Sequence, residues 1–322
     1  MTQQSFINRR EIFWDNFEKM IRGGKNEFKK QAVSFPKSYR ELTQDLNTAR
    51  AHSFDPSIID RLNTLVLEGN QILYSNRSFP LKAAANFILK TFPTAVRAGW
   101  RSLGIMLLIF YGIGAFVFFL CIRFPEAAYE IMGEDQAWNI EQMYNPESYY
   151  YLNPRNVSSD ADMFGFYIYN NISLAFQTFA GGILAGFGSL VILMFNAVFL
   201  GAAAGHIVNS GYGRTFFPFI IAHSAFELTA IILSAQAGLL LGYRLFFTRG
   251  LTRAASLKQA GKTALPLISG SALMLFIAAC IEAFWSSHHD FPPVLRYGSG
   301  IFCWALVLFY FLFAGKNRNK VK

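Results

Sequence analysis

The sequence predicts an all-α, polytopic transmembrane helix bundle preceded by a small cytoplasmic helical module, and three observations carry that expectation. Hydrophobic residues make up 53% of the 322-residue chain, against 15% charged. Charges are dense up to Arg101, and beyond it the chain runs in long apolar blocks. A hydrocarbon core of roughly 30 Å demands about 20 apolar residues from each crossing helix. With no water there, backbone hydrogen bonds must close within the segment, so unbroken runs of this length are helices.

The net charge of +9 would suggest nucleic acid in a soluble protein. Here the cytosolic bias of Lys and Arg and the attraction of anionic lipid explain it, and no nucleic-acid partner is expected. The three cysteines, Cys121, Cys280 and Cys303, lie in or at the ends of apolar helices. An odd, scattered set argues against a disulfide framework or a zinc site. The first hundred residues are polar and charged and show no cleavable leader, so insertion is expected to begin at the first internal span.

Residues 1–78 form the N-terminal module. Ile12, Phe13, Phe17, Met20 and Ile21 recur at helical spacing. A second helix is expected near 37–50, with Tyr39, Leu42, Leu46 and Ala49 on one face. A third follows the Asp55-Pro56 start signal and turns Ile58, Leu62, Leu65 and Val66 inward. So short a module is expected to lean on a partner or on membrane-proximal helices. Residues 79–102 predict an interfacial amphipathic segment, with Leu81, Phe87, Ile88, Leu89 and Phe92 beside Lys82, Lys90, Arg97 and Arg101; membrane lipid is its natural partner.

The bundle occupies 103–315. Its first span, 103–122, is free of charge and framed by Arg101 and Arg123. The loop 124–163 is acidic and rich in Tyr, with little Lys or Arg beyond Arg155, so it is expected outside and the N-terminus inside. The block 164–208 is too long for one passage at 1.5 Å per residue. Gly186 and Gly188-Ser189 divide it into spans of about 164–185 and 189–208. Further spans follow at 217–242, 265–285 and 295–315, and the basic tail 316–322 closes the chain. Six crossings place the basic loop 243–263 and the tail in the cytoplasm. Five, with 164–208 as one kinked passage, put both outside. The positive-inside rule prefers six.

Ionisable residues within a span are costly and are functional suspects. His223 and Glu227, four apart, share a helix face. With Glu282 and Asn171 they fall in the outer half of the membrane under six crossings. Asn170 and Asn196 add amides nearby. A hydrogen-bonded knot, an ion or proton pathway, and a metal or hydrolase centre all remain open readings of this cluster. One His with two separated carboxylates is a thin ligand set, and neither a His-Glu-x-x-His pattern nor a nucleophile elbow around Ser224 is present. No catalytic residue, metal or cofactor is therefore expected. Gly182, Gly186, Gly201, Gly238 and Gly242 are candidates for close helix packing. The His288-His289-Asp290 turn reads as a solvated loop.

These residues resemble the stage II sporulation protein M family. The run from Met163 to Ile172, Phe179-Ala180-Gly181-Gly182-Ile183-Leu184-Ala185-Gly186, and Asn196 with Leu200-Gly201 appear in the family's order. His223-Ser224-Ala225-Phe226-Glu227-Leu228, Ala237-Gly238-Leu239 with Leu241-Gly242, and Ile281-Glu282-Ala283-Phe284 follow. Ser224 and Ala197 stand where the family usually has Gly; both are small, so close packing survives. Trp14, Leu62-Asn63-Thr64-Leu65-Val66, and Phe92-Pro93 with Val96-Arg97 are similar to the longer members from non-sporulating bacteria. The resemblance implies a multi-pass protein of the bacterial inner membrane that anchors or scaffolds an envelope complex. Sporulating members hold peptidoglycan-degrading enzymes at the septal membrane and have no established activity of their own. Genes of the longer members often neighbour a MoxR-type ATPase system, which implies envelope or cytoplasmic protein partners. Oligomeric state is left open. The bottom-up alternative is a channel or transporter built on the His/Glu cluster.

Overall fold

The computed structural model describes residues 2–23, 34–75, 81–152, 157–288 and 291–316. Among these residues all regular structure is helical. The chain divides into two compact units, Met1–Ala84 and Ala85–Lys322. The boundary thus falls a few residues inside the segment expected at the interface.

In the first unit, α1 (Gln3–Arg22), α2 (Phe35–Ala51) and α3 (Pro56–Ser75) enclose a core of their own. The buried face of α1 carries Phe6, Trp14, Phe17 and Met20, whereas Ile12 is exposed. Arg10 and Trp14 explain that rotation. Arg10 Nε and Trp14 Nε1 both donate to Oδ2 of the buried Asp45, each at 2.8 Å. A buried carboxylate needs such donors, and they fix which face of α1 meets α2. At the start of α3, Asp55 Oδ1 accepts from Ser57 N at 2.9 Å and from Ser57 Oγ at 2.5 Å. This ties down an otherwise orphaned N–H of the first turn, and Pro56 fits there because its missing N–H is not needed.

The boundary between the units falls within α4 (Leu81–Asn86), and in the second unit a π-turn (Phe87–Thr91) and α5 (Phe92–Ala98) lead into the bundle. Phe92 and Val96 are buried in its core, and Arg97 Nη1 donates to Phe311 O at 2.9 Å. Leu89 and Trp100 stay exposed.

The bundle consists of α6 (Trp100–Arg123), α10 (Val157–Ala180), α11 (Phe187–Asn209), α12 (Gly213–Phe246), α13 (Arg253–Ile281, continued by a π-turn over Glu282–Ser286) and α14 (Pro293–Phe313). The short helices α7 (Glu126–Met132), α8 (Glu134–Tyr144) and α9 (Tyr149–Leu152) lie between α6 and α10. Five of the six long helices, all but α10, are long and apolar enough to cross a membrane. In α10 the amides of Asn170, Asn171 and Gln177 dilute the apolar content.

The packing shows how α10 runs. Gly114 meets Gly201, Phe118 meets Gly205, and Asn209 Nδ2 donates to Cys121 O at 2.6 Å. This constant register makes α6 and α11 parallel, so the chain must return along the bundle between them. Helix α10 makes that return. Asp160, near its start, lies 3.7 Å from His288 beyond α13. Past its other end, Gly181 packs on Gly188 and Gly182 on Gly238 of α12. The corner between α10 and α11 comes slightly earlier than expected: a 3-10 turn over Gly181–Ile183, then Ala185 and Gly186 at positive φ. Its tightness comes from glycine, because a Cβ on Gly182 would overlap Gly238 O and one on Gly242 would overlap Gly182 O.

Helix α12 is the most enclosed of the apolar spans, and α6 and α14 are the least. Phe119, Phe195, Ile301 and Phe302 remain more than 60% exposed. Apolar exposure on this scale is untenable in water, and lipid tails solvate it.

Candidate functional site

The site is built on the antiparallel pair α12–α13. Their register sets His223 opposite Ser286 and Glu227 opposite Glu282, two successive rungs one helical turn apart. His223 Nδ1 and Ser286 Oγ are hydrogen-bonded at 3.0 Å, and Phe219 meets the imidazole edge-on at 5.3 Å between centroids. The other ring nitrogen, Nε2, points along the helix toward Glu227 Oε2 at 3.9 Å, beyond hydrogen-bonding distance. One donor atom from each of His223, Glu227 and Glu282 lies within 4.8 Å of the other two. His223 is buried and the two glutamates are half-buried, so the group is enclosed on the imidazole side and partly open on the carboxylate side. The carboxylates that look separated in the sequence are neighbours in space.

The π-turn matters to this arrangement. It begins at Glu282 and ends at Ser286, so the wide turn carries both residues that face α12. Single π-turns of this kind occur often at functional sites. Arg296 of α14 is buried and donates from Nη2 to Ser286 O at 2.9 Å, bracing the same turn from behind.

Asn171 reaches the neighbourhood from α10. One turn before it, Tyr167 packs against Ala279 and Ala283, on either side of Glu282 along α13. One turn after it, Ala175 joins the core that includes Ala225 and Phe226 of α12. Asn171 is 3% exposed, accepts from Asn170 Nδ2 at 3.2 Å, and leaves its own Nδ2 buried without a partner. Asn196 is not drawn in; its amide donates back to Ile192 O of its own helix at 2.8 Å. Gly201 packs on α6, while Gly182, Gly186, Gly238 and Gly242 meet at the opposite end of α12 from the cluster. Of the His288 turn, His289 and Asp290 lie outside the described residues.

Sequence reasoning passed over several buried polar groups, three with long side chains in the bundle among them. His206, in the last turn of α11, has Nε2 3.3 Å from Glu141 Oε2, and Ser210 Oγ donates to the same oxygen at 3.3 Å. Tyr129 meets the His206 ring edge-on. Helices α7 and α8 are thereby docked onto the end of the bundle. Arg296 is the second group. Gln236, the third, donates from Nε2 to Gly99 O at 2.8 Å and Ser102 Oγ at 3.0 Å. His206 and Arg296 sit near the ends of predicted spans, where a polar head is assumed to reach water. Their position inside the spans was the available signal.

No curated protein and no solved structure matches the chain. A family model described as a domain of unknown function (DUF8413) matches residues 4–75, almost all of the first compact unit. A second, described as Stage II sporulation protein M, matches residues 103–287, which takes in α6 through the π-turn and every member of the cluster. With more than half of its length matched in this way, the chain belongs to the stage II sporulation protein M family.

Proposed function

We propose that the protein is a polytopic scaffold of a bacterial inner-membrane complex, with a binding role rather than a catalytic one. The observation that carries this reading is the division of labour along the chain. A compact helical unit with its own aromatic core and its own family model precedes a membrane bundle. A module of that kind can dock a partner without disturbing the helices in lipid. At one end of the bundle the acidic helices α7 and α8 are held by His206 and by Thr215, whose Oγ1 meets Tyr144 O, and they supply a second binding face. The family resemblance supports anchoring of envelope-remodelling enzymes as the role.

In this reading all six long helices cross the membrane. The N-terminal unit, the basic segment around Arg249 and Arg253, and the tail are cytoplasmic, and α7–α9 face the outside. Partners are envelope or cytoplasmic proteins, a MoxR-type ATPase system among them. Affinity capture from native membranes, with and without residues 1–76, tests the proposal. Specific partners that depend on those residues support it; recovery of the same proteins with the truncated chain, or of none, counts against it.

The His223, Glu227 and Glu282 group favours one rival, a channel or transporter. Ion flux into liposomes that disappears with Glu227→Gln would replace the scaffold reading.

A further inference from the structure

We infer that His223, Glu227 and Glu282 form a binding site for a divalent first-row transition-metal ion between α12 and α13. Nothing in the scaffold reading requires this, and the two stand or fall separately.

The donor set comes first. An imidazole nitrogen and two carboxylate oxygens from α12 and α13 converge within 4.8 Å. Around a tetrahedral ion with bonds of about 2.0–2.2 Å, donors lie roughly 3.3–3.6 Å apart. Metal binding would close that difference through the two flexible glutamate side chains. One nitrogen and two oxygens suit zinc, manganese or iron(II) better than the all-oxygen shells of calcium and magnesium. Three protein ligands leave coordination positions open on the carboxylate side, where Glu227 keeps 21% of its side chain exposed.

The surroundings are those of a ligand site. Metal-bound histidines usually engage their second ring nitrogen with a neighbouring polar group, which fixes the ring and its tautomer. His223 does this through Nδ1 and Ser286 Oγ at 3.0 Å, leaving Nε2 toward the carboxylates. Ser286 is in turn held by Arg296 through its backbone carbonyl. The second, independent indication is Asn171. Its buried Nδ2 lacks a partner on the face of α10 turned to α12 and α13, and an unsatisfied buried amide is destabilising. A carboxylate, or a water carried by the ion, would satisfy it.

The test uses the full-length protein in detergent, stripped with a chelator, desalted, and titrated with Zn2+. Bound metal is counted by mass spectrometry, and thermal unfolding is followed in parallel. The expected result is one equivalent per chain and a rise in Tm with added Zn2+. Glu227→Gln and Glu282→Gln, nearly isosteric, should each weaken binding at least tenfold at unchanged helical circular dichroism. Ser286→Ala, which only positions the ring, should weaken it about tenfold. His288→Ala, at the nearby Asp160–His288 contact, should leave it intact. Wild-type protein that is folded but takes up no stoichiometric zinc overturns the inference. So does zinc that survives both glutamine substitutions or disappears with His288→Ala. If the glutamine variants fail to fold, Co2+ in the wild-type protein decides. A d–d spectrum without thiolate charge transfer supports the site, and a thiolate band transfers the metal to the cysteines.

Discussion

Gly242→Ala should destabilise the bundle through one methyl group, and the size of the effect follows from what surrounds it. A Cβ on Gly242 would overlap Gly182 O and Gly186 N and lie 2.8 Å from Ala185 C. All three are backbone atoms of the corner between α10 and α11, and that corner is itself tied by Gly186 N donating to Gly182 O at 2.8 Å. No side chain can rotate away, so the corner must move as a unit. Overpacking costs about 1–3 kcal/mol, and contact with backbone puts this case near the top of that range. Alanine recovers about 1 kcal/mol through its better helix propensity, leaving a net loss of about 2 kcal/mol. At roughly 2–4 °C per kcal/mol for a unit of this size, Tm should fall by about 4–8 °C. Gly112→Ala in α6 is the control, because nothing lies within 4 Å of its Cβ position. It should leave Tm unchanged or raise it slightly. With Cys280 and Cys303, which are only partly buried, replaced by Ser, unfolding can be followed in detergent with a thiol-reactive dye reporting on Cys121, which is fully buried. If Gly242→Ala melts with the wild type, or Gly112→Ala falls equally far, the close-packed corner is not what holds α10 against α12.

Three further outcomes are expected. Asp45→Ala leaves Trp14 Nε1 and Arg10 without their shared acceptor, so amide protection in α1 and α2 of the full-length protein should drop about tenfold or more; unchanged exchange would remove Asp45 as the element that sets helix rotation. Hydrogen bonds from Ser57 hold the Asp55 carboxyl below the usual carboxylate range. Its folded value therefore lies below the unfolded one, and the cap's contribution is present at neutral pH and lost as pH falls through the folded value. Exchange in the first turn of α3 should speed up on acidification, and Asp55→Asn should abolish that pH dependence. In a background without native cysteines, Trp138→Cys on α8 should react with a membrane-impermeant maleimide in intact cells, and Leu251→Cys should react only after lysis; the reverse pattern would invert the bundle.

Much of the fold was legible because water and lipid impose short-range rules. The Asp55-Pro56 start, the apolar runs and the 3.6-residue spacing are all local signals, and the helices they indicate are present. What failed to show was rotation and register. Ile12 fits a helical repeat with Phe13 and Met20, yet it is exposed, because the buried stripe is set by Asp45 on another helix. The parallel course of α6 and α11 rests on Gly114–Gly201 and Cys121–Asn209 contacts, which join residues nearly ninety positions apart. The cluster divides in the same way. His223 and Glu227 declare themselves as a pair four apart on one helix. Glu282 joins them only through the register of the α12–α13 hairpin, which no local pattern reports. His206 was hidden for another reason: its partner Glu141 sits in a loop whose helices fold back on the span.

The contrast along α12 bears on what the His/Glu group is for. Without a hydrophobic driving force between helices in lipid, register must come from close packing and polar contacts. Helix α12 already has both toward its C-terminal end. Gly238 and Gly242 admit the α10–α11 corner, and Gln236 is hydrogen-bonded to Gly99 and Ser102. A neutral amide and two glycines accomplish this with no ionisable group. Toward the N-terminal end of α12, the His223–Ser286 hydrogen bond would serve the same purpose alone. Adding two carboxylates beside it is costly for packing, since an ionisable group within a span resists desolvation. A knot that only locked helices would be better made from serine and asparagine, residues this bundle uses elsewhere. Carboxylates are the costly choice for packing and the apt choice for holding a cation, which favours a ligand at His223, Glu227 and Glu282 over a purely structural cluster.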